Sequence, residues 1–486
     1  MIEGLLLSLP KRPDILAIQL AASFILLVLL AGVMFLVSPL QVAVSVAAIL
    51  TVIYFFTRPT IALFSIFCIR GLLDLLWWIP GTIAGLNMLQ LFSAAAFCLV
   101  ATQLFLDLKR MQQHPLFQLF LAYLVFIIIG TLRSDNLLGN LDNIVRYTSP
   151  FILFFMVSIY LDRRDLRRAL LLFVACIGIV PMGLSLYHLA SGQMNEYTLH
   201  GYDRLMGAYK NLHTMALMSL FFLCVWVFWL TQVRSNFKRL VLTCLIGLGT
   251  LALYKSYIRT GLLGLAVFSC AMLFFRKQYR VLGVSALLGG IAIVLSPDLQ
   301  DRFSDVFLIF DDEQIMLDKR MLGSGRWGIW TTSMRTFLAH PPWDIIFGAG
   351  MGEHLNMTLP WVEQFHARDV VLDPHNDYLL LLYQIGPFGM GLYLAMQIKI
   401  FGLSLAVWRN PRADRFGKGL AVFAGALTLT VIMANGISNS FIHRTSPGWY
   451  YWCICGLLVA EWATLKRAEA STPGALSEVV TESASA

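Results

Sequence analysis

The stretch DPHNDYLLLL places His375 directly before a long apolar run, with Asp373 and Asn376 beside it. An imidazole with a pKa near 6.5 can take a proton from a hydroxyl or shield a developing charge. Asp373 or Asn376 can cap the helix that is expected to start here, and the positive end of that helix favours an anion. These residue types therefore predict proton transfer beside a bound anion.

Cations occur in the segments that share this side of the chain. Arg259 lies in YKSYIRTGLLGL, and Arg326 lies in GSGRWGIW. Arg204 and Lys210 lie near the two ends of DRLMGAYK. A guanidinium matches phosphate oxygens in a bidentate geometry, so a phosphate-bearing ligand is the expected anion. An arginine near a helix end can instead extend to the lipid head groups, and that alternative stays open for Arg204.

The elements that must position these residues are membrane helices. The chain of 486 residues is 58% hydrophobic and only 13% charged, and its mean hydropathy is +0.72. Continuous apolar runs of about 20 residues indicate membrane-spanning helices rather than barrel strands. We predict an all-α polytopic membrane protein with about 12–14 transmembrane helices, near residues 15–37, 39–57, 60–79, 88–107, 116–132, 143–161, 168–190, 211–231, 240–254, 260–275, 280–297, 376–402, 419–440 and 447–465.

The charge distribution predicts the orientation of these helices. Basic residues fall at every second connection, for example at Lys109 and Arg110, and the positive-inside rule assigns those connections to the cytoplasm. The other connections then face outward, among them 297–374, which carries Arg326 and leads to His375. The same alternation explains the net charge of +8 without a nucleic-acid partner.

We predict one transmembrane unit over residues 1–465, with a disordered cytoplasmic tail at 466–486. The outer loop 297–374 contains an amphipathic pattern near 324–338. It also contains a glycine run that we interpret as a tight turn allowing close backbone approach, formed by Gly348, Gly350 and Gly352. The spacing of the residues indicates no metal site and no disulfide framework, because all eight cysteines lie in apolar segments. Arg70 and Asp74 are expected to neutralise each other within a helix.

The motifs resemble those of a known family. His375 and Asn376 are followed by nine residues and then GPFG at 386–389, an HN-x9-GxxG arrangement similar to the signature of bacterial O-antigen ligases and the related O-antigen and exopolysaccharide polymerases. The segments MGAYKNLHTMALM, SYIRTG, GSGRWGIW and HPPWDIIFGAGMG also resemble family segments, in order. The resemblance covers roughly residues 200–395.

The resemblance implies a metal-independent membrane glycosyltransferase of the GT-C type in the bacterial inner membrane, working at the periplasmic face without a cofactor. Its donor would be an undecaprenyl-diphosphate-linked glycan, and its acceptor the hydroxyl of a lipid A core. His375 would activate that hydroxyl, and Arg259 and Arg326 would hold the diphosphate. Asp373, Asn376, Arg204, Lys210 and Trp330 are expected to support the site.

Two alternatives stay open at this point. A polymerase would extend lipid-linked repeat units with the same donor and the same leaving group. A transporter would move the lipid-linked oligosaccharide unchanged, although transporters commonly place their binding groups near the membrane midplane, between paired halves. Here the polar residues are instead gathered on one side.

Overall fold

The computed structural model describes residues 52–75, 82–83, 86–192, 195–197, 202–205, 207–209, 211–297, 300, 325–358, 360, 373–436 and 441–471. Within these residues the helices are α1 (Pro59–Leu75), α2 (Met88–Leu106), α3 (Leu108–Gln112), α4 (Phe117–Leu132), α5 (Leu137–Tyr160), α6 (Arg164–Ile177), α7 (Ile179–Ala190), α8 (Leu212–Gln232), α9 (Asn236–Lys255), α10 (Arg259–Phe275), α11 (Tyr279–Leu295), α12 (Arg326–Leu338), α13 (Pro342–Phe347), α14 (Asp377–Arg409), α15 (Arg415–Thr430) and α16 (Thr445–Ala470).

Two short antiparallel hairpins and two irregular helical turns complete the described elements. Strands β1 (Thr82–Ile83) and β2 (Leu86–Asn87) pair, as do β3 (Asn195–Tyr197) and β4 (Tyr202–Arg204). A 3₁₀ helix covers Glu353–Thr358, and α15 continues into a π-helical turn at Val431–Asn435.

The predicted all-α polytopic membrane class is confirmed. Among the described residues, five helical segments are long and apolar enough to cross a membrane: Arg164–Ala190, Leu212–Gln232, Asn236–Lys255, Asp377–Arg409 and Arg415–Ala434. Shorter apolar helices include Phe117–Leu132 and Arg259–Phe275. The predicted span 15–37 and most of 39–57 lie outside the described residues, so the total of 12–14 spans stays a prediction.

The centre of the bundle is formed by α5, α8 and α16. Phe151 of α5 packs on Trp452 of α16 with ring centroids 4.2 Å apart, and Gly456 lies so close to α5 that a Cβ there would meet the carbonyl oxygen of Phe154 at 2.8 Å. By contrast, α11 exposes apolar side chains such as Leu287. Such a surface is expected to face hydrocarbon.

Two buried ion pairs lie in the bundle. Arg70 and Asp74 lie 3.5 Å apart, as predicted for an intrahelical pair, and Ser446 hydrogen-bonds to both. Arg167 pairs with Glu461 at 2.8 Å, toward the opposite end of α16, with both side chains fully buried. A buried charge left without its partner would be costly, so these pairs fix the packing of α1 and α6 against α16.

A kink in α14 shapes the region before the apolar span. Gly386 adopts φ 72°, a left-handed conformation, and Pro387 follows it. The predicted glycine turn docks here, because a Cβ on Gly348 would lie 2.4 Å from the backbone carbon of Gln384, and the N–H of Ala349 donates to the carbonyl of Tyr383 at 2.7 Å. The close backbone approach predicted for this glycine run is therefore confirmed.

Two differences concern the chain segments around the core. Helix α16 continues to Ala470, five residues past the predicted end of the transmembrane unit at 465, while residues 472–486 lie outside the described part. The amphipathic pattern predicted near 324–338 forms α12, which begins at Arg326. Of the predicted outer loop, residues 301–324 and 361–372 lie outside the described part.

Candidate functional site

The loop before α14 is held by side-chain caps. The side-chain oxygen of Asn376 accepts from the backbone N–H groups of Tyr378 and Leu379 at 3.0 and 3.1 Å. Asp373 accepts from the backbone N–H of His375 at 2.9 Å. His375 itself adopts φ 49°, a left-handed conformation that is uncommon for a residue with a side chain. The two caps therefore present the imidazole from a strained and well-defined backbone.

The His375 ring stacks on a second imidazole and is within the electrostatic influence of two guanidinium groups. It stacks on the ring of His213, in the first turn of α8, with centroids 5.4 Å apart and planes 28° apart. Burial lowers the pKa of His375, the Asp373 carboxylate raises it, and the charges of Arg326 and Arg444 lower it further. The net direction is downward, so His375 favours the neutral form, which can accept a proton.

Two imidazole nitrogens in this stack are left for another group. Nδ1 of His375 and Nδ1 of His213 are both buried, and neither makes a hydrogen bond within the described part of the chain. A buried polar atom without a partner is uncommon and often marks a place where a ligand supplies the missing bond. A substrate hydroxyl could form such a bond with either nitrogen.

Helix α12 carries Arg326 to this loop. The helix starts directly after Gly325, which adopts φ 80°, so Arg326 occupies its first position. One turn later, the indole N–H of Trp330 donates to the carbonyl oxygen of Pro374 at 2.9 Å. Trp330 therefore fixes α12, and with it Arg326, against the residue that precedes His375.

A chain of buried hydrogen bonds extends from Asp373 into the bundle. Its carboxylate faces Nδ1 of His443 at 3.3 Å, and Nε2 of His443 faces the Tyr147 hydroxyl at 2.6 Å. Tyr147 also contacts the side-chain oxygen of Gln384 at 2.6 Å, and the Gln384 amide nitrogen meets Nδ1 of His354 at 2.7 Å. This polar chain connects α5, α14, the 3₁₀ helix and the loop before α16.

A separate polar cavity lies beside the glycine turn. It has a volume of about 360 Å³ and is lined by Arg133, Asp135, His340, Asp344, Ala349 and Glu353. Arg133 pairs with Asp344, and His340 contacts the Tyr383 hydroxyl at 2.6 Å. No group of three His, Cys, Asp or Glu side chains among the described residues is arranged to hold a metal ion.

The structure places the remaining sequence-derived candidates less closely. Arg259 is the first residue of α10, and Gly261, two residues later, packs on Ala216, one turn after His213 in α8. Arg259 thus lies at the end of the bundle that carries His375. Among the described arginines, those that lower the pKa of His375 are Arg326 and Arg444. Arg204 ends β4, beside Leu205, whose N–H donates to the carbonyl of Lys255 at 3.1 Å. Lys210 lies outside the described residues.

Several site residues were not singled out from the sequence. Arg444 and His443 lie in a short connection before α16, and His213 lies inside an apolar run. His443 and Arg444 carry no motif, and His213 has no predicted role although it lies in the segment MGAYKNLHTMALM. Their approach to the His375 loop depends on how α8 and α16 pack. The one available signal was that FIHRTSPGW puts a histidine and an arginine together in a connection predicted to face outward.

The sequence is similar to known proteins over the segments that form the site. Residues 242–394 match the family model described as O-antigen ligase, and this segment contains Arg259, Arg326, His375 and the kink at Gly386. An O-antigen ligase of Pseudomonas aeruginosa is 25% identical over 364 residues, which cover 73% of this chain and 80% of that protein. The family match spans the HN-x9-GxxG motif, and the relative extends the similarity over most of the bundle. The chain is therefore a multi-pass membrane protein that is similar to O-antigen ligases, and the matched segment carries Arg259, Arg326 and His375.

Proposed function

We propose that this protein is a membrane glycosyltransferase that transfers an undecaprenyl-diphosphate-linked glycan to an acceptor hydroxyl of the lipid A core, at the periplasmic face of the inner membrane. One observation carries the proposal. At the start of α14, His375 has a lowered pKa that favours its neutral form, and the charges of Arg326 and Arg444 contribute to that lowering. The similarity to an O-antigen ligase supports the choice of acceptor.

The charge pattern suits a diphosphate. Arg326 is the first residue of α12, so its guanidinium is combined with the positive end of a 13-residue helix. The loop side chain Arg444 has a buried Nε atom that makes no hydrogen bond within the described residues. Two guanidinium groups and a helix end can together neutralise the charge that develops on a departing diphosphate.

Arg444 therefore joins the diphosphate-binding residues expected from the family resemblance. Of those, Arg326 acts electrostatically on His375 in the same way as Arg444, and Arg259 lies at the same end of the bundle. We assign Arg326 and Arg444 to the phosphates nearest the reacting sugar. Arg259 is proposed to bind the diphosphate further along the lipid.

The reaction transfers one glycosyl group and one proton. The acceptor oxygen forms a bond to the anomeric carbon of the donor's reducing-end sugar, and the bond from that carbon to the diphosphate oxygen breaks with its electron pair. The acceptor proton goes to His375. Because diphosphate is a good leaving group, the protein contributes mainly by holding the reactants together and by stabilising charge.

The test uses the purified full-length protein with a lipid-linked glycan donor and core lipopolysaccharide as acceptor. His375→Ala is expected to lower transfer by about 10²–10⁴-fold, the usual range for a general base. Arg326→Ala is expected to lower it by about 10²–10³-fold. Arg335→Ala, on an exposed turn of the same helix α12, is the matched control and should keep full activity.

The outcomes separate the possible functions. Wild-type levels of product from both His375→Ala and Arg326→Ala would refute the proposed site. Longer lipid-linked glycan without product on the core would indicate a polymerase. Donor that crosses vesicle membranes chemically unchanged would indicate a transporter.

A further inference from the structure

We propose that His443 is a positioning residue for this reaction, which shares the Asp373 carboxylate with His375 and, through its own charge, controls how readily His375 takes the acceptor proton. This inference rests on the proposed function, because it concerns the proton that the acceptor loses. It assigns a role to a residue outside the segment that matches the family model, which ends at residue 394.

The Asp373 carboxylate lies between the two histidines. One oxygen accepts from the backbone N–H of His375 at 2.9 Å, and the other faces Nδ1 of His443 at 3.3 Å. The contact with His375 is made by its backbone, and the charge of the carboxylate also acts on the His375 imidazole, whose pKa it raises. A single negative charge therefore acts on both imidazoles. A positive charge on one imidazole offsets part of the carboxylate charge, so the carboxylate stabilises a proton on the other imidazole less.

The hydrogen bonds from Asp373 to His354 can be formed with His443 in either its neutral or its charged form. In the neutral state, Nδ1–H of His443 donates to Asp373, and the Tyr147 hydroxyl donates to Nε2. This state needs the Gln384 amide turned by half a rotation from its described orientation, so that its nitrogen donates to the Tyr147 oxygen and Nδ1–H of His354 donates to its oxygen. Every group between Asp373 and His354 has a partner in this arrangement.

The charged state uses the same contacts in the opposite direction. Nε2–H of His443 now donates to the Tyr147 oxygen, whose hydroxyl donates to the side-chain oxygen of Gln384. The Gln384 amide, in its described orientation, donates to Nδ1 of His354. His443 gains one proton, and His354 moves its single proton from Nδ1 to Nε2. Each contact between Asp373 and His354 is kept in both arrangements.

His354 suits the end of such a chain because it stays neutral. Burial, with a smaller contribution from the nearby His443, lowers the pKa of His354 to about 3. It can therefore change which nitrogen carries its proton without itself becoming charged. The added charge stays on His443, beside Asp373.

The other charged groups around the two histidines are fixed contributors. His375 faces His213 of α8, Arg326 of α12 and the loop residue Arg444. On the other side, the charge of Arg146 in α5 acts on Arg444 and on His354, next to His443. None of these groups is altered by a substitution at His443, so its effect on proton transfer can be measured separately.

The protein contains a matched control for this arrangement. His340 faces the Asp344 carboxylate through Nδ1 at 3.4 Å and the Tyr383 hydroxyl through Nε2 at 2.6 Å. These are the same three residue types at nearly the same distances as in Asp373, His443 and Tyr147. The His340 group lines the separate polar cavity and shares no carboxylate with His375.

The experiment is the dependence of kcat on pH for the full-length enzyme with saturating donor and acceptor. In His443→Gln the carboxylate keeps a hydrogen-bond donor but loses the positive charge, so Asp373 stabilises protonated His375 more strongly. The acid limb of the profile should move to higher pH by about 0.5–1 unit, with little change in KM. Tyr147→Phe should move it in the same direction, because charged His443 loses its acceptor at Nε2.

The control His340→Gln should leave the acid limb unchanged. A purely structural role for His443 would lower kcat by the same factor at every pH, and that result for both His443→Gln and Tyr147→Phe would overturn the inference. An equal shift in His340→Gln would also overturn it, since it would reflect general damage to the fold. Transfer by His375→Ala is measured separately, and wild-type activity of that variant would count against the proposed site rather than against the role of His443 alone.

Discussion

The replacement of Asn376 by alanine tests how the chain presents His375. Asn376 is only 8% exposed, and its oxygen accepts from two backbone N–H groups at 3.0 and 3.1 Å. Loss of a helix cap typically costs about 0.5–2 kcal/mol. Because water has little access to this buried cap, we expect a cost in the upper part of that range, about 1–2 kcal/mol.

This cost should appear in catalysis, because the released turn carries His375 in its left-handed conformation. If the whole cost is paid when the loop orders in the transition state, kcat/KM falls by about 5–30-fold. Asn376→Ser keeps a capping oxygen and should retain most of the activity. The assay is transfer from the lipid-linked donor, with thermal unfolding in detergent as the measure of folding.

A matched substitution at the other end of α14 separates this effect from general loss of stability. The side-chain oxygen of Asn410 accepts from the backbone N–H of Arg412 at 2.9 Å, so Asn410→Ala removes a similar bond far from His375. We expect Asn410→Ala to keep normal kcat/KM. Full activity in Asn376→Ala, or equal losses in Asn376→Ala and Asn376→Ser, would refute the capping argument.

Three further predictions follow from the site and the kink. Trp330→Phe removes the hydrogen bond to the loop that carries His375, worth about 1 kcal/mol, and should lower kcat/KM several-fold with normal thermal unfolding. Gly386→Ala forces a side chain onto a left-handed backbone at a cost of about 1–3 kcal/mol and should lower the unfolding temperature, whereas Gly391→Ala, where a Cβ meets open space, should not. Arg444→Gln removes a charge that lowers the pKa of His375, so the acid limb of kcat/KM should move to higher pH and the KM for the donor should rise.

The helices were predictable from hydropathy because a membrane-spanning helix needs an apolar run long enough to cross the hydrocarbon core. The prediction of 88–107 corresponds to Met88–Leu106, and that of 260–275 corresponds to Arg259–Phe275. The largest difference within a span is in α14, which extends to Arg409, seven residues past the predicted end at 402. Lipid-facing and protein-facing residues are both apolar, so hydropathy gives the span but not its partners.

The site was predictable only where its functional residues are close together in sequence. Asp373, His375 and Asn376 are neighbours in sequence, and the interpretation of Asn376 as a cap rests on local geometry alone. The approach of Arg326 was expected from the family resemblance, while its link through Trp330 to Pro374 required the fold. The contacts of His443 with Tyr147 and Asp373 join residues 296 and 70 positions apart, and no local pattern encodes them.

The central claim, that a lipid diphosphate binds between α12 and the start of α14, is tested most directly by photolabelling. An undecaprenyl diphosphate analogue with a photoreactive group next to the diphosphate would be bound to the purified protein, and the labelled peptides would be mapped by mass spectrometry. The claim predicts labelling of the peptides that contain Arg326 and His375, with competition by unlabelled undecaprenyl diphosphate. Competed labelling confined to peptides from the opposite end of the bundle, around Arg164 and Glu461, would contradict it.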